Sequence, residues 1–161
     1  MGPRSEKTVM QRAVGYLSRR EYAPLELKKK LRQVCGPEVP ESEIDLVVKK
    51  LIELGYLSEE RYARAVVNSR GERYGNTAIA LRLSRAGVSR EIIGEVLRER
   101  DESGSERDRL RSVWERKFGS APDNHKEKAR QVRFLASRGF PLSMILSVVP
   151  PIRHSSDVEE S

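Results

Sequence analysis

The sequence repeats itself with a period of 52 residues, and this period limits the folds that the chain can adopt. The segment LASRG at 135–139 echoes LSRAG at 83–87, and LRQVC at 31–35 stands one period further back. All three segments place leucine in the same column, at Leu31, Leu83 and Leu135. A fixed spacing of this kind is typical of small supersecondary units joined in tandem. We therefore expect one structural unit that is repeated three times.

Two further columns of the repeat agree in chemistry. An apolar anchor column is followed two residues later by a charged column, formed by Arg12, Arg64 and Arg116. A residue two positions from a buried anchor points away from the core of a helix. We expect these arginines to bond a neighbouring helix terminus or an acidic side chain, and contact with a partner is the alternative.

Apolar residues recur at helical spacing along almost the whole chain, and no segment shows the sustained alternation of a strand. In the first unit, Thr8 and Gln11 fit a capping box, and Pro24 fits the first turn of a second helix. Ser42 with Asp45 is predicted to cap a third helix. The first unit is therefore predicted to contain three short helices.

The other two units follow the same plan. Ser58 and Ser89 are predicted helix caps, and a helix is expected to start near Asn76. The acidic stretch RERDESGSERD at 98–108 is predicted to be a joint between units. The sequence thus predicts an all-α, elongated array of tandem three-helix repeats at 8–56, 58–102 and 105–150, with an acidic tail at 151–161 that is expected to be disordered.

The composition indicates an acidic partner. The formal net charge is +7, the isoelectric point is near 9.7 and charged residues make up 34% of the chain. Such a charge favours nucleic acid, an acidic protein surface or anionic lipid as the partner. No apolar run is long enough to span a bilayer, and the start MGPRSEKTVM does not resemble a signal peptide. With a single cysteine, these features predict a protein of the reducing cytoplasm without a membrane partner.

Residues for catalysis or metal binding are sparse. His125 and His154 have no second ligand at a suitable spacing, and Cys35 has apolar neighbours and no histidine partner. The stretch GERYG at 71–75 lacks the lysine and the preceding strand of a phosphate-binding loop. We expect a protein that is not an enzyme and that has no cofactor and no metal.

Basic residues are the positive signal of a binding function. They cluster on, or just before, the second helix of each unit, where corresponding helices of a regular stack would present them along one side as a stripe. The predicted binding residues are Lys28, Lys29, Arg32, Arg70, Arg73, Arg82, Arg85, Lys126, Arg130, Arg133 and Arg138. For any single one of them, an ordinary solvated position is the alternative.

Three segments resemble the successive repeats of the RecX family, the bacterial regulators of the RecA recombinase. They are SRREYAPLELKKKLRQ, RYGNTAIALRLSRAGVSREII and KEKARQVRFLASRGFPLSMI, and the likeness extends from Val9 to Val149. One departure lies after Tyr74 and Gly75, where this family usually has proline and then a basic residue, whereas this chain has Asn76 and Thr77.

The resemblance implies a fold, a partner and an activity. The fold is an elongated curved array of three-helix repeats, and the partner is the RecA filament on single-stranded DNA, with double-stranded DNA as a further ligand. The family lies along the helical groove of that filament, touches more than one RecA protomer and restrains filament growth, ATP hydrolysis and strand exchange. This places the chain in homologous recombination, DNA repair and the SOS response.

A stand-alone DNA-binding protein of the helix-turn-helix kind is the alternative. In that case one helix of a unit would enter the major groove. The third helices, with EIIGEV and SMILSVV, are too apolar for that role, and no dimerisation segment is evident. We therefore favour a monomeric regulator.

Overall fold

The computed structural model describes residues 7–153, and this range is all-α without any strand. Its helices are α1 (Val9–Leu17), α2 (Pro24–Val34), α3 (Glu41–Glu53), α4 (Glu59–Arg70), α5 (Asn76–Arg85), α6 (Arg90–Glu102), α7 (Glu106–Lys117), α8 (His125–Ser137) and α9 (Leu142–Val148). Three helices thus fall in each predicted repeat, which confirms the all-α prediction. Residues 154–161, including His154 and most of the predicted tail, lie outside the described range.

Local sequence signals account for most helix starts. Thr8 and Gln11 form the predicted capping box, with N···O distances of 3.1 and 2.9 Å. Pro24 occupies the first turn of α2, where its missing N–H has no intrahelical acceptor. The prediction that Ser42 caps α3 is wrong, because the helix already begins at Glu41, after Pro40. Ser42 therefore lies inside the first turn, where a side chain cannot act as the N-cap.

The described chain forms two compact units. Unit 1 comprises the residues up to Ala65 together with Leu83–Ile93, and unit 2 comprises Val66–Arg82 and the residues from Gly94 onward. The helices α4, α5 and α6 are therefore divided between the two units. The segment 98–108, predicted to join the second and third repeats, spans the end of α6 and the start of α7 and lies wholly within unit 2.

Unit 1 is built on the mutual packing of α1, α2 and α3. Leu27 and Leu31 of α2 are fully buried, as the apolar period predicted, and they meet Ala13 of α1 and Leu51 of α3 in one core. Cys35 is a free, buried thiol at the end of α2. The thiol thus packs as a small apolar side chain in this core.

Unit 2 contains a second core, in which α7, α8 and α9 pack together. Leu135 is fully buried in this core. Leu31 and Leu83, at the corresponding positions of the other two repeats, are also fully buried. Gln131 is also buried, although the corresponding residues Leu27 and Ile79 are apolar. Its amide is satisfied, because it accepts from Trp114 Nε1 at 2.9 Å and donates to the carbonyl of Ser120 at 3.3 Å.

Two loops of unit 2 touch each other through their backbones. The N–H of Gly75 donates to the carbonyl of Arg138 at 2.7 Å. A Cβ atom on Gly75 would lie 2.4 Å from the carbonyl oxygen of Gly139, and one on Gly139 would lie 2.3 Å from Cβ of Ala78. Gly139 also has φ of 87°. Only glycine fits this crossing, which holds Tyr74 next to Arg138.

Gly139→Ala is predicted to lower the free energy of unfolding by at least about 2 kcal/mol, because a left-handed backbone and a steric clash coincide there. Gly94→Ala is the matched control in α6, where only Arg98 Nη1 comes within 4 Å of the added atom. That change should stabilise the protein by about 0.5–1 kcal/mol. Chemical denaturation measures both. Equal effects of the two substitutions would contradict the crossing.

Candidate functional site

The predicted basic residues divide between the two units. Unit 1 holds Lys28, Lys29, Arg32 and Arg85, and unit 2 holds Arg70, Arg73, Arg82, Lys126, Arg130, Arg133 and Arg138. Six of the set are exposed, and their side chains make no hydrogen bond or ion pair in the part of the chain that the structure describes. They are Lys29, Arg73, Arg82, Arg85, Lys126 and Arg133.

On α2, two predicted residues are engaged within unit 1. Lys28 pairs with Asp45 at 3.2 Å, and Arg32 Nη2 donates to the carbonyl of Gly36 at 2.9 Å, just beyond the helix end. Both cations follow a buried leucine by one residue, whereas Arg82 on α5 precedes its buried leucine by one. At about 100° per residue, these positions lie on opposite flanks of corresponding helices. The repeat alone therefore does not align the basic residues in one column.

In unit 2, cations and aromatic rings form a continuous series that we call the cation–aromatic surface. Arg70 and Arg138 lie over the ring of Tyr74, and Arg138 and Lys117 lie over that of Phe134. The series continues from Phe134 through an edge-to-face contact of 5.6 Å to Phe118, whose ring faces Arg130. Its members are Arg70, Tyr74, Lys117, Phe118, Arg130, Phe134 and Arg138. Ring faces attract cations, so these side chains are held in defined positions.

Arg138 is the centre of this surface. Its guanidinium carbon lies 5.0 Å from the ring centroids of both Tyr74 and Phe134. The guanidinium itself makes no hydrogen bond or ion pair with any described residue. Arg138 therefore combines a fixed position with a full set of unused N–H donors, which suits it to bind a planar anion.

A hollow of about 200 Å³ opens beside Arg138. Its lining consists of Glu72, Arg73, Val113, Arg116, Lys117, Phe134 and Arg138. Four cations thus face a single carboxylate, and Val113 with Phe134 supplies an apolar wall. Arg116 and Lys117 are not among the predicted binding residues, although their adjacency at the end of a helix could have indicated a site.

Arg116 makes the kind of bond that its charged column predicted. Its Nη2 donates to the backbone carbonyl of Glu72 at 3.0 Å, and its Nη1 lies 3.9 Å from the Glu72 carboxylate. In the same column, Arg64 pairs with Glu60 at 3.7 Å. The Arg116 contact ties the end of α7 to the loop that follows α4.

The two predicted arginines in the middle of α8 differ. Arg130 donates two hydrogen bonds to the Glu127 carboxylate, at 2.8 and 3.0 Å. These bonds lower the pKa of Glu127 below its usual value. Arg133 is exposed and has no such partner among the described residues. The charge of Arg130 is partly neutralised within the chain, so Arg133 is the more available of the two.

The side chain of Arg100, which is only 5% exposed, is hydrogen-bonded to the loop at 71–75. Its Nη2 donates to the carbonyls of Gly71 and Tyr74, the latter at 2.6 Å, and its Nη1 donates to Oδ1 of Asn76 at 2.6 Å. Burial, and secondarily the charge of Arg109, lowers the pKa of Arg100 to about 10. The side chain is therefore still charged at neutral pH, and these bonds are charge-assisted.

Asn76 completes this support. Its backbone N–H donates to Glu106 Oε1 at 2.9 Å, and its Nδ2 donates to the carboxylate of Asp101 at 3.1 Å. The proline usual at this position in the resembling family has no N–H and no amide side chain. The departure seen in the sequence is therefore matched by bonds that proline cannot make, and they tie the start of α5 to the end of α6 and the start of α7.

A larger cleft of about 800 Å³ lies on the other side of Arg116. The cations Arg100, Arg109 and Arg116 line it together with the carboxylates of Glu72, Asp108 and Glu115. The charges are balanced, so this cleft has no electrostatic preference for an anion.

Residues 7–153 also bear on metal sites and on membrane-spanning helices. Within that range, no cluster of three or more His, Cys, Asp or Glu side chains is arranged to hold a metal ion. Among the helices described there, none has the length and apolarity needed to cross a membrane. His125 lies exposed at the first position of α8.

Comparison with known proteins gives family matches over two segments. The family model described as "RecX, second three-helix domain" matches residues 58–97, and the model described as "RecX, third three-helix domain" matches residues 105–149. These segments include every residue of the cation–aromatic surface, whereas Arg100 lies between them.

Curated relatives match over most of the chain. Regulatory protein RecX of Pseudomonas putida KT2440 is 41% identical over 140 residues, which cover 85% of this chain and 86% of that protein. Regulatory protein RecX of Chromobacterium violaceum is 36% identical over 143 residues, which cover 89% of this chain and 90% of that protein.

Two crystal structures share the fold. RecX from Lactobacillus salivarius superposes with a TM-score of 0.69 at 21% identity, covering 88% of this chain and 92% of that one. A structure described as regulatory protein RecX gives a TM-score of 0.72 at 19% identity, covering 87% of this chain and 70% of that one.

Arg100→Met is predicted to lower the free energy of unfolding by about 2–4 kcal/mol, because it leaves the carbonyls of Gly71 and Tyr74 without this donor and leaves Asn76 Oδ1 only the longer bond from Arg109 at 3.4 Å. Arg98→Met is the control, since Arg98 is exposed on the same helix. The control should change stability by less than about 0.5 kcal/mol. Denaturant unfolding compares the two variants. Similar losses of unfolding free energy would show that the Arg100 hydrogen bonds do not contribute to stability.

Proposed function

The chain belongs to the RecX family, and from that premise we propose that it is a non-enzymatic regulator that binds RecA filaments on DNA. It lies along the helical groove of the filament and restrains filament growth, ATP hydrolysis and strand exchange. It acts as a monomer in the cytoplasm, in recombinational DNA repair and the SOS response. ATP chemistry belongs to the partner.

The cation–aromatic surface is the observation that carries this proposal. It collects positive charge in one unit, at Arg70, Lys117, Arg130 and Arg138, with Arg73 and Arg133 as further exposed cations of the same unit. A nucleoprotein filament offers phosphates and carboxylates in a regular series. Such a polyanion attracts cations, most strongly those without an internal counter-charge, such as Arg73, Arg133 and Arg138.

Binding to free DNA is the second candidate function. The net charge of +7 favours it, because neutralising phosphates releases bound counterions. The rings of Tyr74 and Phe134 already face cations, so base stacking has little support and binding should tolerate any sequence. A defined footprint on duplex DNA would favour the helix-turn-helix alternative instead.

The direct test is the ATPase activity of RecA on single-stranded DNA. The regulator should lower that activity when it is present at no more than one molecule for each RecA. The same titration without RecA, followed by anisotropy of labelled single-stranded DNA, measures binding to free DNA. A folded protein that leaves the ATPase unchanged while binding DNA tightly would replace the first function with the second.

The double variant Arg73→Glu with Arg133→Glu should need about tenfold more protein for half-maximal inhibition, because reversed charges repel a polyanion. The double variant Arg98→Glu with Arg111→Glu is the matched control, because it changes the net charge by the same amount at two other exposed arginines. Arg111 is exposed on α7 and, two residues before Val113, lies on the far side of that helix. Inhibition by the control should stay within about twofold. Melting temperatures check that the variants fold. If the control weakens inhibition as much as the double variant does, the effect is due to net charge and not to these two positions.

A further inference from the structure

The hollow beside Arg138 has features that distinguish a protein ligand from a nucleic acid. Its aromatic wall is already used by cations, with Lys117 and Arg138 at 5.1 and 5.0 Å from the ring centroid of Phe134 and Phe118 packed edge-on at 5.6 Å. A nucleobase binds such rings by stacking on an open face. The hollow therefore favours a ligand that does not stack.

The charge of the hollow is concentrated in a planar donor. Arg138 is fixed between two rings, and its guanidinium donors have no partner among the described residues. The fork of a guanidinium matches the two oxygens of a carboxylate or of a phosphate. Arg73 and Lys117 add positive charge around this centre without competing for its donors.

The wall and the rim decide between these two anions. Val113 and Phe134 form an apolar wall, which gives favourable burial to an aliphatic side chain and nothing to a phosphodiester. The rim carries Glu72, a carboxylate with 89% side-chain exposure that disfavours a continuous chain of phosphates more than it disfavours a single carboxylate. The volume of about 200 Å³ is small and suits a few side-chain atoms.

We propose that this hollow docks an acidic segment of a protein partner, in which one carboxylate pairs with the fork of Arg138 and a neighbouring aliphatic side chain covers Val113 and Phe134. The proposal rests on the proposed function, and it assigns this site to the protein component of the filament rather than to its DNA. The loop crossing at Gly75 and the buried Arg100 position the site without touching the ligand.

The experiment uses the full chain and a short fluorescent peptide in which two adjacent leucines are flanked by aspartate and glutamate. Anisotropy should detect binding at physiological salt. Replacing the acids by their amides should weaken binding by about tenfold or more, because the charge-assisted pair is lost. Replacing the leucines by serine should weaken it by about fivefold, through lost apolar burial. Equal affinities of the acidic and amide peptides would overturn the proposal.

A variant tests the fork itself. Arg138→Lys keeps the charge but loses the planar pair of donors, and it should weaken binding of the acidic peptide by about tenfold. Binding of a short oligothymidine should change by less than about twofold, because the proposal places no phosphate on the fork of Arg138 and the variant keeps the charge. Arg111→Lys is the control and should leave peptide binding unchanged.

Competition separates the two polymer classes. If oligothymidine displaces the peptide stoichiometrically and loses affinity equally in Arg138→Lys, the hollow is a nucleic-acid site and the proposal fails. The peptide assays contain no RecA, so they test the docking site independently of the ATPase assay. A failed peptide assay does not change the ATPase result, and a negative ATPase result does not change the peptide result. Circular dichroism verifies folding, and should Arg138→Lys not fold, the peptide series on the unaltered chain decides.

Discussion

A guanidinium that leaves water must find hydrogen-bond acceptors, and in unit 2 this constraint shapes the loop between α4 and α5. Arg100 is buried beneath that loop and meets its carbonyls at Gly71 and Tyr74. Breaking either bond would leave a charged donor or a carbonyl unpaired in a poorly hydrated place, which is costly. The loop is therefore confined to one shape, and Glu72 and Arg73 are carried with it to the rim of the hollow.

The same loop is fixed from its other side by a backbone crossing. The N–H of Gly75 donates to the carbonyl of Arg138. The next residue, Gly139, has the positive φ that lets the two loops approach each other. Two residues distant in sequence, Tyr74 and Arg138, become neighbours through this contact. The candidate site is thus a product of tertiary support, and its side chains need not hold one another in place unaided.

The parts of the fold that depend on local chemistry could be predicted from the sequence. Periodic apolar columns indicated Leu31, Leu83 and Leu135 as core residues, and all three are fully buried. The parts that depend on distant acceptors could not. Arg100 lies in an acidic, serine- and glycine-bearing stretch that resembles a linker, because its acceptors are carbonyl groups, which leave no mark in a side-chain pattern. Arg116 and Lys117 face the hollow through contacts with Glu72 and Phe134, which the sequence pattern does not pair with them.

Asn76 stands where the RecX pattern usually has proline, and its N–H and side chain bind Glu106, Asp101 and Arg100. A proline at position 76 would leave the carboxylate of Glu106 without this donor, and an apolar residue at 106 would leave the N–H of Asn76 without its acceptor. The two positions are therefore epistatic. A substitution at one of them alone lowers stability, whereas a matching substitution at the other restores it. We therefore expect positions 76 and 106 to change together during evolution.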